Sequence, residues 1–272
     1  MFVVDKPVNI TSNRYMWQIK RKYGTKKVGF SGTLDPFASG CLIVATGQYT
    51  KLFRYLNKTP KVYRATLWLG ADSPTLDLEK ITSIVETAPF DAAVIREVLT
   101  HFVGEITYYP PKYSAKKTNG KRAYALMREG KDPALKTITS TIHSLDLLLY
   151  NHPFVHFEAT VSEGTYIRSL GAMIADHLGV DGVLSSLRRI REGAFAYADE
   201  KPIDPFVHLS IPHNTYTGDP AWLEQGKKLS LRYFVDQSDG EYLIETEHFF
   251  AIISIENGEV TYRLNRLEKF HP

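Results

Sequence analysis

A single cysteine, Cys41, stands in a chain of 272 residues, which leaves no disulfide framework and no cysteine-based zinc site. It opens the apolar run "CLIVATG", where a small buried residue is expected. The nine histidines are scattered, with no His-Glu-x-x-His motif, so no metal ion is expected. No apolar run approaches membrane-spanning length, and "MFVVDKPVNITS" lacks the hydrophobic stretch of a signal peptide. These features lead to the expectation of a soluble, cytoplasmic protein that meets no membrane. Walker A motif, Rossmann glycine fingerprint and nucleophile elbow are all missing. No repeat period or low-complexity tract appears.

Excess charge is also small, 33 basic against 30 acidic side chains, a net of +3 that neither requires nor excludes a nucleic-acid partner. Its distribution says more. Lys20, Arg21, Lys22, Lys26 and Lys27 crowd one acid-free stretch, and Lys112, Lys116, Lys117, Lys121 and Arg122 a second. Either run alone reads as a solvated face. Two of them, each with Gly and Tyr among the lysines, point toward a polyanion.

One loop looks built for chemistry. "KVGFSGTLDPFASGC" concentrates glycines and small hydroxyls around a lone carboxylate, Asp35, and closes on Pro36. Gly and Pro specify a loop of defined backbone shape. An Asp before Pro can simply cap its own turn. It can also act as nucleophile or general base if an arginine keeps it ionised in a dry pocket. Without a cofactor motif, any chemistry would rest on such a group, and no cofactor is expected.

Hydrophobic periodicity places strands at "FVVDK", "CLIVATG", "KVYRATLWLG", "KTITSTIHSLDLLLY" and "FVHFEATVS". Helices are expected at "NRYMWQIKRKY", capped by Thr11 or Ser12 and ended by Gly24, and at "FDAAVIREVLTHFVG", capped by Asp91. Short helical turns are expected at "QYTKLFRYL" and at the end of "KRAYALMREG", and helices again at "TYIRSLGAMIADHLG" and "VLSSLRRIRE". Strands and helices do not alternate strictly, which indicates α+β architecture with a mixed, mainly antiparallel central sheet and flanking helices. Pro202, Pro205, Pro212 and Pro220 crowd a boundary. The expected organisation is a catalytic domain over residues 1–210, with an insertion at about 104–135, and a small β-rich module over 222–272. In that module Asp239-Gly240 and Asn257-Gly258 read as hairpin turns.

In this order, these segments resemble bacterial TruB-type tRNA pseudouridine synthases nearly end to end. "DKPVNITS" is similar to the family's opening segment, and "KKVGFSGTLDPFASGCLIVATGQYTK" to its catalytic block, with Asp35 in the place of the essential aspartate. "KVYRATLWLG" matches the strand of the active-site tyrosine, here Tyr63, and "DSPTLDLEK" an acidic loop with Asp77 as the retained acid. "PPKYSAKKTNGKRAYALMREG" resembles an RNA-gripping insertion, "SEGTYIRSL" carries the active-site arginine, here Arg168, and "LRRIREGAF" holds the apolar residue under the base, here Leu187.

The resemblance implies isomerisation of uridine 55 in the T loop of tRNA to pseudouridine, without cofactor, in the pseudouridine synthase fold with a PUA-like C-terminal module. Asp35 would be catalytic, and Tyr63, Arg168, Leu187, Phe30, Asp77 and Lys6 would serve substrate binding. Lys20, Lys26, Lys27, Lys116, Lys117 and Lys121 would meet the RNA backbone. A monomer without obligate protein partner is expected. Phe30 stands where the family has histidine, which leaves stacking but no hydrogen bond at that place. Asn9 replaces a family glycine, and Pro74 and Lys80 also depart from its acidic loop. Two alternatives are a tRNA-folding chaperone with weak or lost catalysis and a guide-RNA-dependent relative. The short stretch before Lys6 and the small C-terminal module favour a stand-alone enzyme over the second.

Overall fold

The computed structural model describes residues 1–118 and 120–270. Its main sheet contains β1 (Phe2–Lys6), β2 (Val28–Ser31), β3 (Ser39–Thr46), β4 (Lys61–Leu69), β5 (Gly104–Tyr108), β6 (Ile138–Asn151), β7 (Phe154–Val161) and β8 (Gly182–Glu192). The order is β1-β3-β8-β4-β7-β6-β5, with β2 also on β3. Every pair among these strands is antiparallel except β8 on β3, where Arg188 and Arg189 face Ser39 and Gly40. This agrees with the mixed, mainly antiparallel sheet expected.

The pairing of β3 decides where the Asp35 loop lies. Val28–Ser31 of β2 pairs with the later residues of β3, Ile43–Thr46, whereas β8 pairs with its first two. Residues 32–38 leave the sheet between these partners, so the loop opens at a gap in the strand order. Gly40 closes it at φ +104°, and a Cβ there would overlap the Arg189 carbonyl of β8. Only glycine permits that conformation and that approach.

Helices α1 (Ser12–Lys22), α2 (Ala92–His101) and α4 (Ile167–His177), with the short α3 (Ala123–Arg128) between the latter two, lie where the pattern placed them. Thr11 and Asp91 accept hydrogen bonds as N-caps of α1 and α2. α2 and α4 bury Ile95, Leu99, Leu170 and Ile174 against Leu67, Phe157, Ala159 and Leu184 of the sheet. α1 lays Met16 and Ile19 on Phe2, Val4, Leu42 and Val44. The opposite face of β1 and β3, including Val3, Cys41 and Ile43, meets Leu243, Phe250 and Ile252 from the C-terminal strands.

Those strands, β9 (Gly240–Glu245), β10 (Phe249–Glu256) and β11 (Glu259–Glu268), form a separate antiparallel sheet. The other face of β9 and β10 packs with Leu223 of α5 (Pro220–Gln225). β10 is therefore buried on both faces, which explains its unbroken run "FFAIISI".

Three expectations need correction. "VLSSLRRIRE" is strand β8, not a helix. Val183, Leu187 and Ile190 imitate a helical stripe, but the buried alternation runs through Leu187 and Arg189, and arginine does not register as an inward residue. Asp239-Gly240 does not turn a hairpin: β9 starts at Gly240 and turns at residues 246–248, while Asp239 accepts from the Asn257 amide. Gly104–Tyr108, placed in the insertion, is an edge strand of the main sheet on β6. The part that projects begins after it, with a two-residue hairpin pair at Lys117–Thr118 and Lys121–Arg122.

Candidate active site

Asp35 stands in a cavity of about 290 Å³ at the gap beside β3. The walls come from the loop (Gly32, Thr33, Leu34), from β4 (Lys61, Tyr63), from β8 (Leu187, Arg189) and from the entry to α4 (Gly164 to Arg168). A volume near 300 Å³ lies at the small end of ligand sites. Tyr63 and Leu187 are buried neighbours across the β4–β8 pair and supply its aromatic and aliphatic surfaces.

Arg168 holds Asp35. Its Nη2 lies 2.8 Å from Asp35 Oδ2. The same guanidinium donates to the carbonyls of Thr75 (2.6 Å) and Tyr113 (2.9 Å), and Nη1 is 3.4 Å from Asp77 Oδ2. With 4% of its side chain exposed, this arginine has its orientation set on several sides. A planar fork suits such a divergent set of acceptors, which a single ammonium could not span.

The net effect on Asp35 differs from the sequence expectation. Burial pushes its carboxyl above the usual range; Arg168 opposes this, and the neighbouring Asp77 charge adds to the rise. A third of the Asp35 side chain is open, and it opens into the cleft. The guanidinium thus limits a desolvation penalty and does not overcome it.

Asp77 is buried and does not line the cavity. It caps a short 3₁₀ turn through the Glu79 amide, accepts from the Thr75 hydroxyl at 2.6 Å and faces Arg168. Its place is behind Arg168. Lys6 is likewise fully buried: Nζ donates to the carbonyls of Pro7 (2.8 Å) and Ile10 (2.7 Å) and approaches that of Pro36 at 3.5 Å. Burial lowers its pKa to about 8, with the Asp35 charge acting against that fall. Lys6 ties the opening segment to the turn that follows Asp35 and does not face the cavity. Asn9 in that segment has φ +60°, a left-handed conformation that asparagine tolerates and glycine adopts freely.

Phe30 is half-buried on β2 against the cluster beneath α1, outside the Asp35 cavity. Lys26 and Lys27 are exposed on the approach to β2, and Lys20 is partly covered on α1. In the projecting part Lys117 is exposed, Lys116 partly so, and Lys121 meets Glu129 at 3.3 Å.

A buried charged group under the cavity has no counterpart among the sequence expectations. Arg189 donates to the carbonyls of Cys41 (2.8 Å) and Gly32 (2.9 Å), lies 2.6 Å from Glu192 and faces the Tyr63 hydroxyl. Lys61 is 3.2 Å from Glu192. By its pattern "LRRIRE" reads equally as a solvated basic face or as an RNA contact, and nothing in it marks one arginine as internal. Tyr166, also in the wall, has its phenol pushed up by burial. Its only signal is closeness to Arg168 in the chain.

The profile described as TruB family pseudouridylate synthase (N terminal domain) matches residues 20–167. The chain is 68% identical to tRNA pseudouridine synthase B of Sulfurovum sp. (strain NBC37-1), over 99% of this chain and 98% of that one. It is 47% identical to the protein of the same name from Campylobacter curvus, with the same coverage. Among solved structures it is similar to a chain of a Cbf5-Nop10-Gar1 complex, at TM-score 0.66 and 22% identity, covering 100% of this chain and 85% of that one. That last likeness is one of fold, the pseudouridine synthase fold. With Asp35, Tyr63, Arg168 and Leu187 gathered on one cavity and relatives matching along almost the whole chain, the protein belongs to the TruB family of pseudouridylate synthases.

Proposed function

We propose that the chain is a tRNA pseudouridine synthase that isomerises uridine 55 of the T loop, acting alone, as a monomer in the cytoplasm, with Asp35 as its catalytic residue. The carrying observation is Asp35 at 2.8 Å from the buried Arg168, in a cleft walled by Tyr63 and Leu187. The name shared by the near-full-length relatives supports the substrate class.

In the reaction the C1′–N1 bond breaks, C1′–C5 forms, C5 gives up its proton and N1 gains one, so nothing is consumed. A base in a folded loop must leave its stack to reach Asp35, at a cost of a few kcal/mol. Contact with the Tyr63 ring returns roughly 1–3 kcal/mol, and phosphate contacts from the basic stretches add to it. Tyr63 and Leu187 hold the uracil while Asp35 acts on base or ribose. Arg168 and the Arg189 contact to Gly32 keep the loop in place through the exchange.

The test uses an unmodified T-arm stem-loop and the purified chain alone, without guide RNA, followed by mapping of the modified position. Wild type should convert the T-loop uridine. Asp35→Asn should bind within about tenfold of wild type, roughly 1.4 kcal/mol, and convert none. Binding without conversion by wild type would favour the chaperone reading, and appreciable turnover by Asp35→Asn would remove Asp35 from its role.

A further inference from the structure

Trp17 is 67% exposed on α1, although its neighbours Met16 and Ile19 are buried. Its ring has the Lys20 ammonium 5.2 Å from the centroid. Together with Asn13, Met16, Lys20, Val28 and Phe30 it lines a groove of about 400 Å³ between α1 and β2. This groove is separate from the Asp35 cavity, yet Phe30 precedes Gly32 of the cavity wall by two residues. At the rise of a strand that is about 7 Å.

Among the residues that line the groove the one charged side chain is Lys20. The α1 segment "SNRYMWQIKRK" contains no acid. Among the described residues Lys20, Lys26 and Lys27 form no ion pair, while Lys22 at the helix end is taken by Glu200. An exposed indole with the Lys20 ammonium over it, and two more exposed ammonium groups on the approach to β2, match what a single nucleic-acid strand presents, a flat base beside a phosphate. The same charge disfavours a second copy of this chain, which would bring like charges together.

We propose that the α1–β2 groove is a second nucleotide site, in which an unpaired base of the RNA next to the flipped uridine stacks on Trp17 while Lys20, Lys26 and Lys27 hold its phosphates. The proposal rests on the functional reading above. It adds a contact on a side chain that the sequence analysis did not single out.

Indole fluorescence and binding test it on the full-length protein carrying Asp35→Asn, which prevents turnover. Trp68 and Trp222 are partly packed inside, so the difference between the protein with and without Trp17→Phe isolates the signal of the exposed ring. T-arm RNA should quench that signal. Trp17→Ala should weaken binding by about 5- to 150-fold, with an unchanged melting temperature and an unchanged salt slope, because every phosphate keeps its lysine. An abasic residue beside the target uridine should erase the difference between Trp17→Ala and its parent. Unquenched fluorescence with full affinity in Trp17→Ala overturns the proposal, as does a weakening that persists on the abasic RNA. Concentration-dependent self-association abolished by Trp17→Ala would assign the groove to a second copy instead. If wild type converts the T-loop uridine while Trp17 stays silent, this inference alone falls; if the T arm is neither bound nor converted, the functional reading falls with it.

Discussion

Replacing Arg168 by lysine keeps the charge and removes the fork. In the native site the guanidinium serves four acceptors: Asp35 at 2.8 Å, the Thr75 and Tyr113 carbonyls at 2.6 and 2.9 Å, and Asp77 at 3.4 Å. A lysine ammonium is one point with three donors, and acceptors disposed around a planar group do not converge on it. At least two of these acceptors are left without their donor. Hydrogen bonds to a charged group contribute about 1.5–3 kcal/mol each, so the cost is about 3–6 kcal/mol, shared between stability and transition-state positioning. If half falls on the reaction, at 1.36 kcal/mol per tenfold, the rate drops about 10- to 200-fold. Single-turnover conversion of T-arm RNA measures that part and thermal denaturation the rest. RNA affinity should change little, since the Arg168 side chain is only 4% exposed and the Tyr63 and Leu187 surfaces of the cavity are kept. An Arg168→Lys protein with wild-type rate, pH profile and melting temperature would refute the argument.

Because burial raises the Asp35 pKa, the acid limb of the reaction should lie above the ordinary carboxylate value of about 3.9, with activity lost as pH falls through it. Asp77→Asn removes a charge that adds to the rise, so the limb should move down; a limb at or below about 4 in wild type contradicts the desolvated site. The sign for folding follows from the same shift. Native Asp35 holds its proton at pH values where the unfolded chain has released it, so its contribution to stability declines as pH rises across that window, and denaturation of Asp35→Asn should lack that slope. Lys6→Met strips the donor from the Pro7 and Ile10 carbonyls and should cost about 1–3 kcal/mol with slower conversion; an unchanged melting temperature and rate would mean that the opening segment holds itself. Replacing Lys116, Lys117 and Lys121 by alanine should flatten the logarithmic salt dependence of RNA affinity by roughly 0.7–0.9 for each phosphate no longer neutralised, and an identical slope would place this hairpin away from the RNA backbone.

Much of this molecule is legible in its sequence. Capping at Thr11 and Asp91, the alternation of β4 and the Asn257-Gly258 hairpin are local rules, in which a few neighbouring residues decide the outcome. The grouping of Asp35, Tyr63, Arg168 and Leu187 came from the family resemblance, since no periodicity links residues 35 and 168. Tertiary structure decided the rest. β8 is a strand because β3 and β4 offer it partners and because Gly32, Cys41 and Glu192 accept the Arg189 guanidinium inside the protein. A chain pattern that counts arginine as a surface residue cannot show this. The direction of the Asp35 shift is of the same kind. A carboxylate and its arginine can be named from their segments, but whether burial or pairing prevails depends on how much water the surrounding strands exclude. Local sequence settles which elements can form and which side chains are available; only their packing sets the dielectric around those side chains, and with it their chemistry.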